Sequence, residues 1–232
     1  MARDGYARAL AAEGDYPAAE AEIRWAVAAA RALKRSGSQA EIGLLNLTES
    51  NLAFVLSQEG KWDEAVTLQE AVLQRWRELE GEYGNNTLTA MENLGTYYER
   101  LNRLEESEVL IRAALERRRR VFGERHPHTL SSRHNLAAIL NSLGRNREAV
   151  AIYEQLLPDA EEELGRLHPL VLTMLNNWAF ALAEIGDNRA AEPLAREQVA
   201  RAGQVHGPEH PETLAARHLL VSLWEDQGRI DE

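Results

Sequence analysis

Four asparagines, Asn51, Asn93, Asn135 and Asn177, recur 42 residues apart, each followed by Leu or Trp and then a small residue. A side-chain amide carries donors and an acceptor, so a row of amides can hold the backbone of an extended chain. Asparagine is a weak helix former that competes for backbone hydrogen bonds, so four copies in one register need a reason. One reason is contact with a ligand. The other is bonding to a neighbouring helix that keeps successive units in register. Histidines recur as well: His126 and His128, then His168 and His210 at the same 42-residue interval. Rows of histidine invite metal or acid–base chemistry, but no acidic or cysteine ligand recurs with them at metal-binding spacing. His126, His168 and His210 each precede a proline, which holds the residue before it extended and suits the first position of a helix. They are therefore read as helix starts, and no metal and no cofactor is expected. The chain has no Gly-rich phosphate loop, no nucleophile motif and no paired carboxylates in a plausible cleft, so catalysis is not expected either.

The one basic run is Arg117 to Arg120. Four consecutive positions cover a full helical turn, so they cannot all face one ligand. They are expected to be solvated and paired with glutamates such as Glu116 and Glu124, with a patch for an acidic partner as the second reading.

Composition limits the possibilities further. The 232 residues are 44% hydrophobic and 27% charged, with a net charge of −11 and no cysteine. An acidic chain is a poor general binder of nucleic acid or of anionic membranes, so neither partner is expected. Without cysteine there is no disulfide, thiol catalysis or thiolate zinc site. The opening "MARDGYARALAAEGDYPAAE" lacks the apolar stretch of a signal peptide, and no segment approaches the length of a membrane span. The cytoplasm is the default location.

The elements that must carry the asparagines follow from the repeat. The turn after each Asn triplet keeps its register at Gly60, Asn102, Gly144 and Gly186, with Gly228 after a fifth triplet, Leu219-Leu220-Val221, that has lost its asparagine. The His-Pro turn has a degraded counterpart at Gly84-Asn85. A first copy begins near Tyr6, with four residues inserted before the second, in "KRSGSQAEIG". Each unit reads as two helices. In one, Leu130, Leu136, Ile139, Leu140 and Leu143 follow helical spacing, and Ala149, Ile152, Tyr153, Leu156 and Leu157 form the face of the next. Pro158 is expected to kink that second helix or break a hydrogen bond in it. A lone helix pair cannot bury its apolar face, so stacking is required. The expectation is one all-α domain, 1–232, with repeats at about 2–38, 43–84, 85–126, 127–168 and 169–210 and a partial repeat at 211–232.

Met91, Leu94, Gly95 and Tyr98 resemble the first part of the tetratricopeptide repeat signature, and Ala149 and Tyr153, in the following unit, resemble its second part. Ala19, Ala65, Ala149 and Ala191 recur where two helices must approach closely. The added "GxxHPxTL" element, as in "GERHPHTLSSRHNLAAILNSLGRNREA", is similar to the long repeats of kinesin light chains and of bacterial proteins built from the same unit. The resemblance implies a right-handed superhelical solenoid of antiparallel helix pairs, about five and a half repeats long. First helices would line a concave groove that binds peptide segments of partners.

In that groove the resemblance places Asn51, Asn93, Asn135 and Asn177. Helical spacing adds His134 and Asn176 one residue before ladder positions, Phe54 and Phe180 three residues after, and Arg100 seven after. Kinesin light chains read acidic peptides with basic groove residues. Here Arg100 is the main cation, so a neutral or partly basic segment is the better fit, with Phe54 and Phe180 as apolar anchors. The expected function is a non-enzymatic module binding a protein or peptide, as the docking or sensor part of a larger assembly. The alternative is a structural array that self-associates through its terminal repeats. That alternative draws on "WEDQGRIDE", where the chain stops as a second helix should begin. Such an end suggests a piece of a longer protein or an end covered by another chain, or else a last helix that serves as its own cap. Among the tryptophans, Trp178 is expected in the core, Trp62 between repeats and Trp224 exposed.

Overall fold

The computed structural model describes residues 2–33 and 38–229. The insertion expected within 34–43 falls in part on 34–37, outside those residues. Eleven helices and no strand occur among the described residues. They follow one another as α1 (Ala2–Ala12) and α2 (Tyr16–Leu33), α3 (Gln39–Gln58) and α4 (Trp62–Glu80), α5 (Asn85–Arg100) and α6 (Leu104–Phe122), α7 (Pro127–Ser142) and α8 (Asn146–Leu164), α9 (Pro169–Glu184) and α10 (Asn188–His206), and then α11 (Pro211–Asp226). This is the all-α, TPR-like architecture of about five and a half helix pairs. The chain divides into two compact units, Met1–Arg117 and Arg118–Glu232. In the first, α1 to α4 each pack on the next helix in sequence, ending with α4 on α5; in the second, α7 to α11 do the same.

Small residues set how closely paired helices approach. Ala19, Ala65, Ala149 and Ala191 are all completely buried, as expected. Ser107 holds the same register and is buried too; its hydroxyl donates to the Gly95 carbonyl at 2.7 Å. A β-carbon on Gly95 would lie 2.8 Å from Ile111 Cδ1, so α5 and α6 are in contact through that glycine.

The turns explain the spacing of the glycines. Asn102 stands where the other within-pair turns use glycine, and its φ of 58° is the only positive one outside glycine among the described residues. Asparagine is one of the few residues that enter that region at modest cost.

The His-Pro motifs act as helix starts through the imidazole itself. His126, His168 and His210 are N-caps, and each Nδ1 accepts the N–H two residues on, at 3.2, 3.1 and 3.3 Å. At the degraded copy Gly84 has no side chain to do this. The Glu80 carboxylate reaches over instead, accepting Asn86 N–H at 3.1 Å and the Asn86 amide at 2.6 Å. The donor satisfied is the equivalent one, two residues after the cap.

Several expectations need correction. Arg118 is not solvated. It is 2% exposed and donates to the His128 carbonyl at 3.1 Å, at the register where Trp76 is buried in the first unit. Arg119 pairs with Glu124 as expected, and Arg117 pairs with Glu82. The helix α8 runs on through Pro158, which has no N–H to donate, so one hydrogen bond of the helix is missing there, as expected. Trp178 is half-buried rather than enclosed. Trp224 is also half-buried, and its indole N–H donates to Glu192 at 3.0 Å. Trp62 packs on Tyr97 of the next pair, with ring centres 6.3 Å apart.

Candidate functional site

In the first unit Asn51 lies on α3 and Asn93 on α5, both half-buried. Asn51 borders a cavity of about 380 Å³ whose walls include Arg8, Trp25, Leu33, Leu44 and Leu47. Leu47 is one helical turn before Asn51 and Phe54 nearly one turn after, so the three share a face of α3. That face is open: Leu47 is 52% and Phe54 51% exposed. Arg100 is exposed at the end of α5. A larger cavity, about 840 Å³, lies on another face of α3. There the buried Glu49 carboxylate is held by Arg31 at 2.6 Å and by Arg75, whose Nε also donates to Asn46 Oδ1 at 2.5 Å. These charges are satisfied by one another and leave little for a ligand.

In the second unit Asn135 lies on α7 and Asn177 on α9, again half-buried. The Asn141 amide donates across to the Asn177 carbonyl at 3.2 Å, and the Asn176 amide to Asn177 Oδ1 at 3.4 Å. The side-chain amides of Asn93 and Asn135 make no hydrogen bond among the described residues. Phe180 is 43% exposed, one helical turn from Asn177.

His134 does not belong with these residues. It is buried against Tyr153, with ring centres 5.9 Å apart and Nδ1 3.5 Å from the phenol oxygen. Burial pushes its imidazole down to about 4. It is a neutral core residue of the α7–α8 pair, because its register position turns inward there.

Sequence reasoning missed two groups. The first is the apolar wall beside Asn51: Leu47 was findable from its four-residue spacing, whereas Trp25 comes from a different helix. The second is a cluster where α10 meets α11. His206 Nε2 lies 3.0 Å from Glu212 Oε2, and the His206 and His210 rings stack with centres 4.5 Å apart at 19°. One nitrogen of each histidine and one oxygen of Glu212 all lie within 4.8 Å of one another. The signal was present in register, since His206 falls where the preceding copies have Phe122 and Leu164.

Family models described as tetratricopeptide repeat match residues 44–112 and 100–162, 171–212 and 1–25. No curated protein matches the sequence. Among solved structures, BtubC (BKLC) from P. vanneervenii is 20% identical with a TM-score of 0.77, covering 91% of this chain and 84% of its own. A kinesin light chain protein of Podosopora anserina with nearly identical TPR-like repeats is 22% identical with a TM-score of 0.72, covering 88% and 94%. NprR in complex with its cognate peptide NprX is 15% identical with a TM-score of 0.68, covering 99% of this chain and 62% of that one. At such identities the likeness is one of fold. Among the described residues no helix is long and apolar enough to cross a membrane.

Proposed function

The chain belongs to the tetratricopeptide repeat family, and from that premise we propose that it is a non-enzymatic protein-interaction module whose asparagine ladder holds an extended peptide segment. One observation carries the reading: Asn93 and Asn135 present half-exposed amides with no partner among the described residues. A peptide backbone supplies the acceptors and donors such amides lack. The exposed Phe54 and Phe180 beside the ladder suit apolar side chains of the ligand, and Arg100 is an exposed cation at the end of α5. NprR, a peptide binder of the same fold, supports the class of ligand without supplying its sequence. The proposal takes residues 1–232 as one functional array in the cytoplasm, with neither nucleic acid nor membrane as partner.

A displayed library of unstructured peptides, selected on the whole chain, tests this. Peptides that bind the wild type should bind an Asn93→Ala, Asn135→Ala variant at least about tenfold more weakly, a loss of about 1.4 kcal/mol. Unchanged affinity in a variant with wild-type circular dichroism would sink the ladder reading. Self-association is the second reading, favoured by exposed Tyr6 on α1 and exposed Leu214 and Val221 on α11. Sedimentation over a range of concentrations separates the two, since only self-association makes the mass rise.

A further inference from the structure

We infer that His206, His210 and Glu212 form a binding site for one divalent transition metal ion of the zinc class, clamping the end of α10 to the start of α11. The argument begins from the repeat. The last residue of each second helix sits beside the cap of the next first helix, and this register reads Glu80, Phe122, Leu164 and His206. Phe122 stacks on the cap His126 with centres 4.6 Å apart at 21°. His206 stacks on the cap His210 in nearly the same geometry. A carbocyclic ring, or leucine, therefore meets the packing need at this place. The imidazole adds a nitrogen lone pair that packing does not require. Two residues after the cap, where other copies have Asn86, His128 and Leu170, Glu212 supplies a carboxylate. Both changes occur together in one copy, and they bring three ligating side chains to one point.

The chemistry of the donors selects the metal. Two imidazoles and one carboxylate suit zinc, nickel or copper, whereas calcium and magnesium take oxygen ligands. Three protein ligands leave a position for water. His206 Nε2 is buried, and in this geometry it makes no hydrogen bond although it lies beside the Glu212 carboxylate. His210 has a competing task, because its Nδ1 lone pair caps the Glu212 N–H and its proton then sits on Nε2. Ligation through Nε2 moves that proton to Nδ1 through solvent and turns the cap off. The ion takes over the cap's work of fixing the start of α11.

The test is calorimetric titration of the untagged full chain with zinc chloride. The wild type should bind one ion. His206→Leu, which installs the residue of the preceding copy, and Glu212→Gln should each weaken binding about tenfold or more. His126→Ala, in the stacked pair that lacks a carboxylate, should bind like the wild type. Circular dichroism checks that each variant is folded, and Glu212→Gln, at an exposed position, covers the case in which His206→Leu is not. No binding by the wild type overturns the site, as does undiminished binding in folded His206→Leu or Glu212→Gln. Loss in His126→Ala equal to that in His206→Leu also overturns it, by showing diffuse histidine binding. None of these outcomes depends on whether a peptide binds the ladder.

Discussion

The side-chain amide of Asn141 on α7 donates to the backbone carbonyl of Asn177 on α9 at 3.2 Å. Asn141 stands six residues after a ladder position and reaches the ladder position of the next pair. Register between pairs in the second unit is thus held by a neighbour of the ladder. Asn135 itself is left with an open amide among the described residues. Interhelical bonding in this unit thus falls on the Asn141 side chain and not on that of Asn135.

Isosteric replacement separates them. Asn141→Asp turns the donor into a carboxylate facing a carbonyl, which is expected to cost about 1–3 kcal/mol. Asn135→Asp, with no bond to lose, is expected within about 0.5 kcal/mol of the wild type. Urea midpoints measure both, and equal losses would show that Asn135 carries a structural bond as well.

The close approach of α5 and α6 gives a second prediction. Gly95→Ala places a methyl 2.8 Å from Ile111 Cδ1. Overpacking of this kind is expected to cost about 1–3 kcal/mol, less the helix-propensity gain of alanine. Ile111→Val removes Cδ1, so the double variant should recover part of the loss. A thermal-melt cycle that came out additive would mean the two side chains do not meet.

The fold was legible because period and packing obey the same rule. Ala65, Ala149 and Ala191 are buried because two helices touch there, and spacing in multiples of 42 residues makes such positions visible without coordinates, with Ala19 offset by the four inserted residues. His-Pro was legible as a helix start, but the cap's chemistry was not, since nothing in the sequence says that Nδ1 replaces a Ser or Asp oxygen. The site was less legible. His134 precedes a ladder asparagine by one residue, about 100° around the helix, and that rotation carries it into the core. Arg118 lies in a run of like charges that reads as solvated, yet it takes Trp76's inward register. Trp25 joins the wall beside Asn51 from a different helix, which periodicity along one helix cannot show.

The Glu80 substitute for the missing histidine cap gives a third prediction. Glu80→Ala removes the acceptor for Asn86 N–H and is expected to cost about 1 kcal/mol, as His168→Ala should at its own helix. Gly84→Ala would put a β-carbon 2.3 Å from Glu80 Cβ, which Glu80→Ala keeps, and 2.6 Å from Glu80 Oε2, which it removes, so the Glu80→Ala background should relieve part of the Gly84→Ala loss. Denaturant titration of the four proteins measures the coupling; without coupling, Glu80 does not lie over the turn.

His134 makes stability depend on pH in a window of its own. Its imidazole is held at about 4 in the folded protein by burial, against about 6.5 when exposed. The unfolded chain takes up a proton at this residue as pH falls through 6.5, while the folded chain does so only near 4. Stability is therefore full above 6.5, declines between 6.5 and 4, and has lost on the order of 3 kcal/mol from this residue below that. Glu20 acts lower. Burial raises its carboxyl, but hydrogen bonds from Lys61 and Arg24 outweigh this and hold it at about 2. Its contribution is present above the ordinary carboxylate value of 4.5 and is lost between 4.5 and 2. The two are separable by measuring unfolding free energy from pH 7 downward. His134→Leu should flatten the decline between 6.5 and 4.5, and Glu20→Gln should leave that part intact. An equal slope in wild type and His134→Leu over that range would show that His134 is solvated, and with it that the α7–α8 interior is open to water.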